Sequence, residues 1–146
     1  MKKNNKGFSL VELIVVVLIM AIIAVALAPQ VMKWVENSRI STDCSNYEEM
    51  ILNLQTAIIE KNAYKEAMNS AKVTVKIDGS GTTMSAASGT TCTAIDAEMD
   101  KVAPGWEKIQ KKATDKGTGN NDYYTIEIYN GAVFRAEQPK KNDDLS

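Results

Sequence analysis

The 146 residues include no histidine. Its absence removes the usual general base at neutral pH and the commonest zinc ligand. It also rules out any Ser/His/Asp or Cys/His catalytic set. Two cysteines are too few for a four-ligand zinc site. No glycine-rich phosphate loop occurs, and no Asn-x-Ser/Thr sequon marks an N-glycosylation site. Charge of one sign is lacking too: 17 Lys and Arg face 18 Asp and Glu, a net of -1. Electrostatic binding of nucleic acid needs a strongly basic surface, so none is indicated. With no catalytic residue, metal or cofactor implied, an enzyme is not expected.

What is present is a sharp asymmetry. From Phe8 to Ala28 the only polar residues are Ser9 and Glu12, whereas 14 basic and 17 acidic residues lie between Gln30 and Ser146. At about 1.5 Å per residue a helix over Phe8–Ala28 spans roughly 30 Å, one hydrocarbon core. Lys2, Lys3 and Lys6 precede it, and the positive-inside rule keeps them cytoplasmic, with the chain beyond Pro29 outside. A single-pass anchor tethering an outer binding domain fits this pattern. So does a secretory signal peptide, with Ala26-Leu27-Ala28 as a small-x-small cleavage site, although Pro29 would sit awkwardly just after the cut. Neither reading gives Glu12 a partner, and an unpartnered carboxylate inside the apolar run costs about 2–3 kcal/mol.

Lys6-Gly7-Phe8-Ser9-Leu10-Val11-Glu12-Leu13 closely resembles the class III signal of type IV pilins and of the type II secretion and competence pseudopilins. The resemblance implies cleavage after Gly7 by a prepilin peptidase and methylation of the new amino terminus on Phe8. A peptidase needs an unhindered, extended backbone at its cut, which glycine supplies. By resemblance Glu12 matches the acidic position that pairs with the Phe8 amine of a neighbouring subunit. A buried carboxylate is tolerable when so paired. Pro29 matches a helix-kinking proline that many pilins carry. The implied partners are other pilin subunits in a homopolymer, the peptidase, and an assembly platform in the cytoplasmic membrane. The implied order is a leader over 1–7, a transmembrane or fibre-core helix over 8–28, and an extracellular head over 29–146.

Beyond Pro29, Ile40, Cys44, Tyr47, Ile51, Leu54 and Ile58 recur at gaps of three and four, one stripe of an amphipathic helix. Arg39, Asp43, Glu49, Asn53 and Glu60 fall on the opposite face. The helix is predicted to reach about Glu60, with a possible extra turn over Tyr64–Ser70. Pro29 enters it only with a kink or a lost hydrogen bond. Lys72–Asp78 alternates as a strand, with Val73, Val75 and Ile77 toward the helix. Tyr123–Tyr129 alternates again, with Tyr124, Ile126 and Ile128 on one face. Asn130-Gly131 is the favoured dipeptide of a type I′ hairpin, and Ala132–Glu137 returns. The expected fold is α+β, a long helix on an antiparallel sheet of three or four strands, as in a pilin head.

The Ser80–Thr93 stretch, rich in Ser, Thr, Gly and Ala, reads as a surface loop open to O-linked sugar. Thr93 is placed as the cap of a helix over Ala94–Val102, with Asp96 as a weak capping-box partner. Pro104-Gly105 ends that helix, and Trp106–Lys112 is a further turn. Outside the membrane a disulfide persists. A Cys44–Cys92 bond is expected, restricting the unfolded chain by roughly 4 kcal/mol. Asn120-Asn121-Asp122 lacks the regular acidic spacing of a calcium loop and reads as a turn. The tail Lys140–Ser146 reads as frayed.

Overall fold

A computed structural model describes residues 7–69, 72–87 and 91–140. The leader residues 1–6, part of the Ser/Thr-rich stretch (88–90) and the tail 141–146 lie outside them. The chain divides into two compact units, Met1–Val35 and Glu36–Ser146.

Helix α1 (Leu10–Ala57) begins in the first unit and ends in the second. Pro29 lies inside it; lacking an N–H, it leaves the Val25 carbonyl without its usual helical donor. In the second unit the expected stripe is buried at Ile40, Tyr47, Ile51, Leu54 and Ile58, while Cys44 is half-buried. Met50 and Ala57 join the stripe and are fully buried. One residue on the expected polar face does not belong there: Asp43 is 2% exposed. Its carboxylate is held by donors from elsewhere in the head, described below.

The expected extra turn is a separate helix. After Ala57 the bonds tighten, with Ile59 N–H donating to the Thr56 carbonyl and Glu60 N–H to that of Ala57. Glu60 then starts α2 (Lys61–Asn69). Its carbonyl accepts from Tyr64 N–H, and its carboxylate accepts the orphan N–H groups of Asn62 and Ala63.

The sheet has four antiparallel strands in the order β2-β1-β3-β4, with β1 Val73–Ile77, β2 Thr82–Ala86, β3 Tyr124–Tyr129 and β4 Ala132–Glu137. As the alternation required, Val73, Val75, Ile77, Tyr124, Ile126 and Ile128 are buried in one core with Tyr47, Met50, Ile51 and Leu54 of α1. Asn130 and Gly131 have φ of 51° and 70°, the pair of positive values that a type I′ turn needs. Gly131 also donates to the Ala67 carbonyl, tying the hairpin tip to α2.

Strand β2 corrects the reading of Ser80–Thr93 as loop. Its inward residues are modest: Thr82 is buried and gives its hydroxyl to the Ile109 carbonyl at 2.7 Å, and Met84 and Ala86 pack on the core. β1 supplies the ladder that fixes them. Composition described the exposed Thr83 and Ser85 but could not show the pairing.

Helix α3 (Thr93–Val102) forms where expected, but Thr93 is its first residue rather than its cap. The cap comes from another element. The Glu66 carboxylate of α2 accepts from Ala94 N–H (2.8 Å), Ile95 N–H (3.0 Å) and the Thr91 hydroxyl (2.6 Å). A short 3-10 turn, Trp106–Lys108, follows Pro104-Gly105.

Candidate functional site

In the amino-terminal unit fifteen large apolar side chains from Phe8 to Leu27 are each 45% to 91% exposed. Burying such a side chain stabilises by roughly 1.5 kcal/mol or more. Leaving them all in water would therefore cost on the order of 20 kcal/mol, more than the whole stability of a typical domain. The segment must be covered by lipid or by other chains. It is long and apolar enough to cross a membrane.

Gly7 and Phe8 precede the helix outside any regular element and are exposed, Phe8 at 91%. Ser9 and Glu12 then make a reciprocal pair. Ser9 N–H donates to Glu12 Oε2 at 2.9 Å, and Glu12 N–H donates to Ser9 Oγ at 3.2 Å. That is a capping box, which satisfies two orphan N–H groups and sets a negative charge at the positive end of the helix dipole. Sequence reasoning missed it, although Ser-x-x-Glu before an apolar run is its signature. It corrects the argument that an uncut anchor leaves Glu12 without a partner: the carboxylate has one within its own chain.

In the head the carboxylate that matters is Asp43. Its oxygens accept from Lys112 N–H (2.9 and 3.0 Å), Ala113 N–H (2.9 Å) and the Tyr124 hydroxyl (3.1 Å). About two turns earlier, Glu36 accepts from the N–H groups of Thr114 and Asp115. Two acids on one helix thus hold the 112–115 segment against α1. Burial first, then the Asp43 charge and its hydrogen bond, push the Tyr124 hydroxyl far above its usual range. The signal was in the spacing, since Asp43 stands three residues from Ile40 and four from Tyr47, on the buried stripe.

Cys44 and Cys92 are not bonded to each other in the structure. Cys44 Sγ donates to the Lys140 carbonyl at 3.8 Å, whereas Cys92 sits among Glu66 and Asp96 at the start of α3. Burial and those two acids raise the Cys92 thiol above its usual value, which disfavours the reactive thiolate.

In the 117–122 loop Glu137 accepts from Gly119 N–H (2.6 Å) and the Asn121 side-chain amide (3.0 Å), while Asp122 pairs with Lys111 Nζ at 2.9 Å. Asn120 has a φ of 63°, and its N–H closes a turn on the Gly117 carbonyl. The oxygens are aimed at the chain's own donors.

The chain carries the prokaryotic N-terminal methylation motif. The match covers residues 2–28 of 146 and is the class III signal of type IV pilins and pseudopilins. It takes in Gly7, Phe8 and Glu12 and stops before Pro29 and both cysteines, so it says nothing of the head. No curated protein and no solved structure shows significant similarity to the chain. The methylation motif and the uncovered apolar helix fit a membrane-anchored precursor of the pilin type.

Proposed function

We propose that the chain is the precursor of a structural subunit of a type IV pilus-like extracellular filament. The observation that carries this reading is the methylation motif at residues 2–28 on a segment whose large apolar side chains, Phe8 to Leu27, are exposed among the described residues. Cleavage after Gly7 and methylation of Phe8 take place at the cytoplasmic face. The mature subunit waits in the cytoplasmic membrane with its head outside, and an assembly platform lifts it into the fibre. The driving force is burial: Phe8–Ala28 leaves lipid only to pack on the same segment of its neighbours, so its apolar surface never meets water.

Glu12 has a second role in this scheme. In the lone subunit its carboxylate rests on Ser9 N–H. In the fibre the amine created on a neighbour's Phe8 joins it, and only the correct stagger satisfies both charges. Pilins and the pseudopilins of secretion or competence systems share these features, and the irregular acidic spacing of the 117–122 loop favours the pilin.

Glu12→Ala is the test. Cells producing it should hold membrane-inserted subunit yet shed no filaments on shearing. Filaments in normal amount from Glu12→Ala would defeat the register argument.

A further inference from the structure

The exposed apolar surface does not end where the uninterrupted run ends. Val31, Met32, Trp34 and Val35 are 46%, 73%, 61% and 46% exposed. Counted from Leu10, where the helix begins, to Val35, it spans roughly 39 Å, against a hydrocarbon core of about 30 Å. Hiding all of it by tilting would take an angle near 40°, at the limit of the ~0–40° range and far from the ~20° mean. At about 20° the helix projects roughly 37 Å along the bilayer normal. About 7 Å, roughly its last five residues, must then leave the hydrocarbon.

Those residues have the chemistry of the layer they enter. Trp34 joins an apolar ring to an N–H donor, the combination that concentrates at membrane–water boundaries. Lys33 beside it extends an apolar stem with a cation suited to lipid phosphate. Val31, Met32 and Val35 supply apolar surface for the upper acyl chains. The chain's other tryptophan is of a different kind. Trp106 is 2% exposed, and its indole N–H donates to Asp100 at 3.1 Å.

We propose that Val31–Val35 is an interfacial anchor, with Trp34 seated at the headgroup–glycerol level of the outer leaflet, so that it sets the depth of the waiting subunit. The inference rests on the reading of Phe8–Ala28 as a membrane span, and the experiment separates the two. The full chain is reconstituted into phosphatidylcholine/phosphatidylglycerol vesicles and floated on a density gradient. Tryptophan emission is then read for wild type and for Trp34→Phe, whose difference isolates Trp34 while the buried Trp106 stays as it is. Lipids carry bromine either near the glycerol or near the acyl-chain end.

The expected result is a blue-shifted Trp34 contribution, quenched at least about twofold more by the shallow label than by the deep one. Stronger quenching by the deep label would put the ring in hydrocarbon and overturn the proposal. Quenching by aqueous iodide but by neither lipid label would put it in water and also overturn it. A chain that does not float with the vesicles would remove the membrane span itself, and the anchor with it.

Discussion

Replacing Asp43 with alanine should be the most damaging single change in the head that leaves the apolar core intact. The carboxylate takes two backbone N–H groups and one hydroxyl, all inside the fold. Deleting it strands three donors, each worth about 1–3 kcal/mol when buried without a partner. Some relaxation toward water is to be expected at Lys112, which is exposed, so the loss should be about 3–5 kcal/mol. For a head of this size that lowers the melting temperature by roughly 10 °C or more. Thermal unfolding of the full chain in detergent, followed by the near-ultraviolet dichroism of the buried Trp106, reads it directly. Asp43→Asn should recover little, because its amide turns donors toward donors. Tyr124→Phe alone should cost about 1 kcal/mol and add nearly nothing on top of Asp43→Ala, since the two share one bond. The exposed Glu49→Ala serves as a control within about 0.5 kcal/mol. A loss below about 1 kcal/mol for Asp43→Ala would refute the view that this carboxylate holds the 112–115 segment to α1.

Two further outcomes follow from the head. Burial raises the Glu66 carboxyl, but hydrogen bonds from the Thr91 hydroxyl and the Ile95 and Ala94 N–H groups outweigh it, and the group lies below its ordinary value of 4.5. Its folded form therefore binds protons less readily than its unfolded form, so its stabilisation is complete above about pH 4.5 and fades as pH falls through the lower folded value. Glu66→Gln should lose about 1–2 kcal/mol at neutral pH and show a flatter acid limb in melting temperature against pH; an unchanged limb would contradict the cap. Gly131→Ala should destabilise by about 1–3 kcal/mol, because φ is 70° and a Cβ there would meet Met68 Sδ at 2.7 Å. A melting temperature equal to wild type would show that the hairpin tip is not held against α2.

Legibility in the sequence followed the strength of the local pattern. Val73–Ile77 and Tyr124–Tyr129 alternate cleanly, and Asn130-Gly131 names its own turn, so three of the four strands could be read directly. Strand β2 could not, because its inward positions are Thr82, Met84 and Ala86 and its register comes from β1. The cap of α3 was misplaced for a related reason: Glu66 lies 28 residues from Ala94 in sequence, and no local motif announces it. Asp43 was a misjudgement of chemistry rather than of spacing. A charge on the buried stripe was assigned to the polar face, when the physical alternative was a carboxylate bound to backbone donors. At the amino terminus the methylation motif, which takes in Gly7, Phe8 and Glu12, was legible because it is written in one short contiguous stretch. The Ser9–Glu12 box has an equally local signature, Ser-x-x-Glu before an apolar run, and went unread.

The measurement that tests the account most directly is intact mass with amino-terminal peptide sequencing of the chain isolated from its native membranes. The predicted result is a mature chain that lacks Met1–Gly7 and begins with N-methylated Phe8. A chain that still begins at Met1, or one cut at Ala28 so that Pro29 comes first, would contradict pilin-type processing and remove the fibre reading.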